Sequence, residues 1–375
     1  MKHRGLWFTI LFAGCLFLLY MQPVWFPPVS SEPNKSEIRR EPSPTTWNYE
    51  PIKTDGYARW IGRNLSDFDK AYGRAEETYS SGFSFVIHRY AMDEQNYLEV
   101  TTEKKRITSI KVLGDQSDKI QPFSFGMTMN DLAQITMIYP NFSINHEGRT
   151  ISFELMEDDM NYRPLIAFDN GSFAMLLFSP NELDNSLFSV IYLDKETLLK
   201  LQPYQITEGV PPHFNAAENA DWEVINQSKE KQSKDLFQLF RMRDGLEAFD
   251  LTTDVQIESE SLLGKFFANP EDYLTTERAQ KLHRAQEAFY SDNFALSNGE
   301  IEDFLKTLDI TDAKLYLELP VYDPTFSILS WYSIPYSHTR YMHPTLEALG
   351  IAFSKENVVV LLQNAEKITE SGGVQ

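Results

Sequence analysis

Glu157, Asp158 and Asp159 set three carboxylates side by side, and clustered carboxylate oxygens are what a calcium ion takes as ligands. A calcium loop alternates its oxygen ligands and turns on a glycine. This stretch does neither, so it reads as a solvated acidic turn. His88 and His146 stand apart from other ligand types and read as structural or exposed strand histidines. His343 follows His338 by five residues, a spacing that does not bring two imidazoles onto one helix face. Serine hydrolysis needs a Gly-x-Ser-x-Gly elbow, and the sequence has none. Phosphate-binding loops, dinucleotide glycine fingerprints and an HExxH helix are also missing.

The composition narrows the field further. A chain of 375 residues, 42% hydrophobic and 23% charged, has the length of two domains and the make-up of a globular protein. Its 34 basic against 54 acidic residues leave a net charge of -20, which repels phosphate backbones and excludes general nucleic-acid binding. The sole cysteine, Cys15, makes no intrachain disulfide, so the core must hold the fold, with 26 Phe, 18 Tyr and 6 Trp to fill it.

Lys2, His3 and Arg4 precede an uncharged run whose apolar part extends from Leu6 to Phe26. About 20 helical residues cross a bilayer, and the basic flank belongs on the cytoplasmic side. Residues 1–26 therefore read as a single-pass signal anchor in the cell membrane, N-terminus cytoplasmic and the bulk of the chain extracytoplasmic. Two other readings stay open: a cleaved signal peptide, and a lipoprotein signal with Cys15 as the lipid site. Residues 27–56, rich in Pro, Ser and charge, read as an extended tether.

Between residues 57 and 205 a pattern occurs twice, over about 57–114 and 123–205. Gly62 and Gly126 each lead to an acid five positions on, Asp67 and Asp131, in a short helical stretch. Strand-like runs follow: Phe83 to Tyr90, Tyr97 to Thr101 and Ile107 to Leu113, then Thr150 to Leu155, Leu165 to Phe168, Phe173 to Phe178 and Leu187 to Leu193. Alternation at Ile110 and Val112, or Phe173 and Met175, predicts half-buried strands, and Asp169-Asn170-Gly171 a tight turn. Each unit is a helix followed by an antiparallel meander. Through Trp60-Ile61-Gly62, Tyr72-Gly73-Arg74, Ile191-Tyr192-Leu193-Asp194 and Pro203-Tyr204, this stretch resembles the CAP-associated N-terminal domain of Gram-positive bacteria.

Residues 206–232 read as a linker. From Ser233 apolar residues recur at spacings of three and four, through Leu236, Phe237, Phe240, Leu262, Leu263, Phe266 and Leu282. Gly350 to Phe353 and Asn357 to Leu362 read as closing strands, making residues 233–375 an α+β domain. The segment Trp331-Tyr332-Ser333-Ile334-Pro335-Tyr336-Ser337-His338-Thr339-Arg340, with Leu349-Gly350-Ile351-Ala352-Phe353, resembles the end of the CAP superfamily, the cysteine-rich secretory, antigen 5 and pathogenesis-related proteins. Arg243-Asp244-Gly245-Leu246 resembles part of that family's first helix, and His283 falls where its second often carries a histidine.

The resemblance implies an α-β-α sandwich with a cavity of two histidines and two acids able to hold a divalent cation such as zinc. His338 matches the later histidine and Glu318 an acidic position. Asp292 or Asn293 stands in for the earlier histidine, and Phe240 replaces a usual asparagine. The metal candidates are thus His338, Glu318 and Asp292, with Glu318 and His338 the catalytic candidates, in a degenerate cavity. The expected function is a membrane-anchored extracytoplasmic binding or structural protein that has lost this chemistry. Its partners would be the membrane, through residues 6–26, and a protein or the cell wall. The alternatives are a divalent-metal-dependent hydrolase or metal-binding protein using the residual cavity, and a binder of an apolar ligand or peptide.

Overall fold

Gly62 and Gly126 both adopt left-handed backbone, φ 83° and 80°, which glycine takes without strain. Each turn leads into a short helix, α1 (Leu65–Tyr72) and α2 (Met129–Ile135). The repeated acid lies in the first turn of both helices: Asp131 closes a capping box with Thr128 at the start of α2, whereas Asp67 in α1 pairs with Lys70. A carboxylate there meets the positive end of the helix and its unpaired N–H groups.

In the computed structural model, which describes residues 49–93, 96–114, 117–180, 185–287 and 293–364, the first repeat continues into a meander. Its strands are β1 (Glu77–Ser80), β2 (Phe85–Met92), β3 (Tyr97–Glu103) and β4 (Arg106–Leu113). The second repeat inserts a hairpin, β5 (Asn141–His146) and β6 (Arg149–Glu154), and helix α3 (Glu157–Tyr162), before its own meander of β7 (Leu165–Ala167), β8 (Phe173–Phe178) and β9 (Leu187–Leu193). The meanders fuse into one antiparallel sheet, ordered β1-β2-β3-β4-β9-β8-β7, through the β4–β9 seam where Lys111 pairs with Ile191. Helix α4 (Lys195–Leu201) follows, and β10 (Gln205–Glu208) adds to β6 in a separate three-stranded sheet.

The half-buried reading of these strands needs correction at the centre. β8 and β9 are buried at every position. One face of the sheet packs against α1 and α2, around Phe68, Tyr90, Leu132 and Tyr192. The other joins a core shared with the C-terminal half, in which Phe173, Met175, Leu177 and Ile191 meet Leu236, Phe240, Leu329 and Tyr332. A sheet covered on both faces has no reason to alternate.

The second half begins earlier than its apolar periodicity suggests. Helix α5 spans Trp222–Arg243, so its first eleven residues fall in the stretch read as linker. There the buried side chains include Lys229 and Gln232, which hide the helical period. Next come α6 (Thr253–Ala268), α7 (Thr276–Gln286), β11 (Phe294–Ala295), α8 (Asn298–Thr307), β12 (Ala313–Leu319), α9 (Pro324–Ser333), α10 (Pro335–Tyr341), β13 (Ala348–Ser354) and β14 (Asn357–Gln363). The sheet order is β11-β12-β14-β13. Leu349, Ile351, Val358 and Val360 face the shared core with α5, α9 and α10, while Ala352, Val359 and Leu361 face α6, α7 and α8. Helices on both sides make the α-β-α sandwich.

Buried charges tie the halves together. Lys111 of β4, with no exposed side-chain surface, lies 2.6 Å from Glu99 and 2.5 Å from Asp323, the N-cap of α9. Burial alone would lower its pKa, but the two carboxylates outweigh it and hold the ammonium above its ordinary value. Lys229 lacks such partners among the described residues. Its ammonium donates to the carbonyls of Lys355 at 2.8 Å and Val321 at 3.3 Å, near the rings of Phe83 and Phe353. Burial pulls it down to about 7.

Tyr49 to Asp55, read as the end of the tether, is packed: Tyr49 stacks near Phe142, and Ile52 bridges to Phe168 beside β7. The apolar run at residues 6–26, Cys15 and Asp292 lie outside the described residues. Among the described residues, no helix is long and apolar enough to cross a membrane.

Candidate functional site

A cleft of about 970 Å³ opens where the rim of the seven-stranded sheet, at Gly114, Gly126 and Leu187, meets the end of α5 and the α9–α10 corner. The corner exists because Ile334 precedes Pro335, which forces it into extended backbone and breaks one helix into two. His338, in the first turns after the break, folds back over Tyr332 with ring centroids 4.5 Å apart. Its Nδ1 lies 3.1 Å from the Tyr332 carbonyl and its Nε2 3.4 Å from Asp244 Oδ2. The Tyr332 hydroxyl donates to Asp244 Oδ1 at 2.5 Å, and Phe240 stacks on the Tyr332 ring at 3.9 Å. Phe240 thus supports this tyrosine from the position where an asparagine was expected. Both imidazole nitrogens thus face oxygen atoms. Arg243 and His343 also line the cleft, with the His343 Nδ1 accepting from the Thr345 backbone N–H at 3.3 Å.

Glu318 lies elsewhere. It sits on β12 opposite Ala295 and Val358, and lines a smaller cavity of about 200 Å³ with Arg163, Ser330 and Trp331. The side chain is half-buried at the cavity wall, yet protein surrounds the carboxyl closely enough for burial to push it up to about 7, against a hydrogen bond from Trp331 and the nearby charge of Arg163. Trp331 and Tyr332 are adjacent on α9 and line different cavities. The expected set is therefore not assembled: Glu318 and His338 line separate cavities, and Asp292 is outside the described residues. No group of three or more His, Cys, Asp or Glu able to hold a metal occurs among the described residues.

The remaining candidates have local roles. Glu157, Asp158 and Asp159 form the first turn of α3, and Asp159 pairs with Arg163, so the acidic turn is a helix start. His88 lies between Thr78 and Thr102 in the sheet. His283 is exposed near Glu271, 3.5 Å away. Sequence reasoning missed the partnership of Asp244 with Tyr332 and His338, since nothing in the sequence couples positions about 90 residues apart.

Comparison with known proteins fits this geometry. The CAP-associated N-terminal family matches residues 61–204. This part of the chain is a CAP-associated N-terminal domain. Over 84% of its length the chain shares the fold of a cysteine-rich secretory protein from Staphylococcus aureus, with a TM-score of 0.61 and 17% identity, covering 97% of that chain. It is equally similar to an extracellular protein containing an SCP domain from Bacillus anthracis, at a TM-score of 0.61 and 16% identity over 87% and 100%. In sequence it is 22% identical to the Bacillus subtilis membrane protein YlbC over 233 residues, 61% of this chain. The match spans 65% of that relative's length. The CAP-associated domain supplies the sheet rim of the large cleft, and the CAP-like half supplies Asp244, Tyr332 and His338.

Proposed function

We propose that the chain is a membrane-anchored extracytoplasmic binding protein, whose cleft between the CAP-associated domain and the CAP-like half receives a protein or cell-wall partner and whose CAP-like half has lost the metal chemistry of its family. One observation carries this reading: Glu318 and His338, the two candidates for a shared cation, line different cavities, and His338 is engaged by Tyr332 and Asp244. An imidazole held between a carbonyl and a carboxylate is a positioned structural group. The apolar run at residues 6–26 behind a basic N-terminus supports the anchor, as does the likeness to a membrane protein.

A calorimetric zinc titration of the full-length chain in detergent, beside its His338→Ala variant, tests the reading. No saturable binding at micromolar zinc is expected from either protein. Binding at micromolar or tighter affinity that disappears in the variant would restore the metal site and overturn it.

A further inference from the structure

The cavity beside Glu318 is built from both halves of the chain, and several buried polar groups of its lining residues have no partner among the described residues. Arg163 and Gln202 come from the CAP-associated domain, and Glu318, Ser330 and Trp331 from the CAP-like half. Arg163 gives one guanidinium nitrogen to Asp159, but its Nε is buried without a partner. Gln202 Oε1 and Ser330 Oγ are likewise buried and unpartnered, and Ser330 is only 5% exposed. Gln202 caps α4 in left-handed backbone, φ 48°, a position that glycine usually fills. An amide side chain is kept there instead, on the cavity wall. Buried polar atoms in native proteins generally have partners, so a molecule that reached these three would find bonding capacity unused by the described residues.

The chemistry of the wall defines the ligand. Arg163 Nε–H can only donate and Gln202 Oε1 can only accept, while Ser330 can do either. The Arg163 charge is matched by Asp159, and no Lys or Arg pairs with Glu318 among the described residues. A molecule that satisfies this wall carries an anionic or acceptor group toward Arg163 and Ser330 and a cationic donor toward Glu318 and Gln202. Leu201, Pro203 and Pro320 close the rest and leave about 200 Å³. A second cavity of about 180 Å³ shares Gln202, Asn293, Pro320 and Tyr322 with this one.

We infer that this cavity binds a small zwitterion of the amino-acid class, its carboxylate accepting from Arg163 and Ser330 and its ammonium donating to Glu318 and Gln202. The site is separate from the large cleft and does not depend on what binds there.

Calorimetric titration of the full-length chain in detergent with glycine, L-alanine and D-alanine tests the inference, with N-acetylalanine and alaninamide as probes lacking one charge each. Saturable binding of at least one amino acid at millimolar concentration or below, and of neither blocked probe, is expected. Glu318→Gln and Ser330→Ala, each shown folded by an unchanged circular dichroism spectrum, should weaken binding about tenfold, the loss typical of one hydrogen bond to a charged group. His338→Ala should leave it unchanged. Absence of any amino-acid binding, as for a cavity holding water alone, would overturn the inference. Equal binding of the blocked probes would overturn it too, and neither result depends on a variant folding.

Discussion

Trp331 lines the small cavity with Glu318, while the next residue on the same helix, Tyr332, carries His338 against its ring at 4.5 Å. Successive helix positions are about 100° apart, so neighbouring residues serve different cavities. The two sites should therefore be energetically independent. In a double-mutant cycle with Glu318→Gln and His338→Ala, read by urea unfolding, the two effects should add within about 0.5 kcal/mol. A larger coupling energy would mean that the sites communicate through α9.

Lys111 is the centre of the polar contact between the two halves. Lys111→Met would strand Glu99 and Asp323 as uncompensated buried carboxylates, and losing one partner of a buried ion pair costs about 3–5 kcal/mol. Urea denaturation should show a loss of that size. A loss below about 1 kcal/mol would mean that water or a proton takes over the lysine's role.

Lys229 gives the stability a pH dependence of definite sign. Its folded pKa, lowered to about 7, lies below the ordinary lysine value of 10.5. Between those pH values the unfolded chain binds a proton that the folded chain does not, so stability rises with pH across this window. The penalty is complete below about pH 7 and gone above about pH 10.5. Lys229→Met removes this contribution, so the difference between variant and parent should change by up to about 5 kcal/mol across the window. Parallel stability curves for the two proteins would rule the effect out.

Gly350 lies where α6 crosses β13. A Cβ built there would come 2.4 Å from the Val255 carbonyl oxygen, which is backbone and cannot swing aside. Gly350→Ala should destabilise the chain by about 1–3 kcal/mol, the usual cost of forcing extra volume into a packed core. Thermal unfolding measures it, and an unchanged midpoint would show that the helix slides to make room.

Sequence alone reached those parts of the fold where burial follows a period. The repeat of Gly62 and Gly126 and the meanders were legible because their apolar residues cluster in strand-length runs. β1, β5 and β10 were not, since each is short and carries few apolar residues; β5 buries only Phe142 and Ile144. The first turns of α5 were hidden because their inward face carries Lys229 and Gln232, and no hydrophobic pattern marks a helix that buries polar groups. At the site, the residues came into view singly and their grouping did not. His338 was visible, but its contact with Asp244 depends on where α5 ends relative to the Pro335 break.

The β4–β9 seam also bears on how the sheet is made. As the chain is synthesised, Lys111 appears 80 residues before its strand partner Ile191 and 212 before Asp323. In that interval β4 is an open sheet edge carrying one charge in the middle of its apolar run. A lysine pointing inward from an unpaired edge discourages foreign strands from adding to it. The ammonium that ends between Glu99 and Asp323 thus keeps the half-built sheet apart from its neighbours. Lys111→Met removes this guard as well as the native ion pair, so its yield of soluble chain should fall further than its equilibrium stability accounts for.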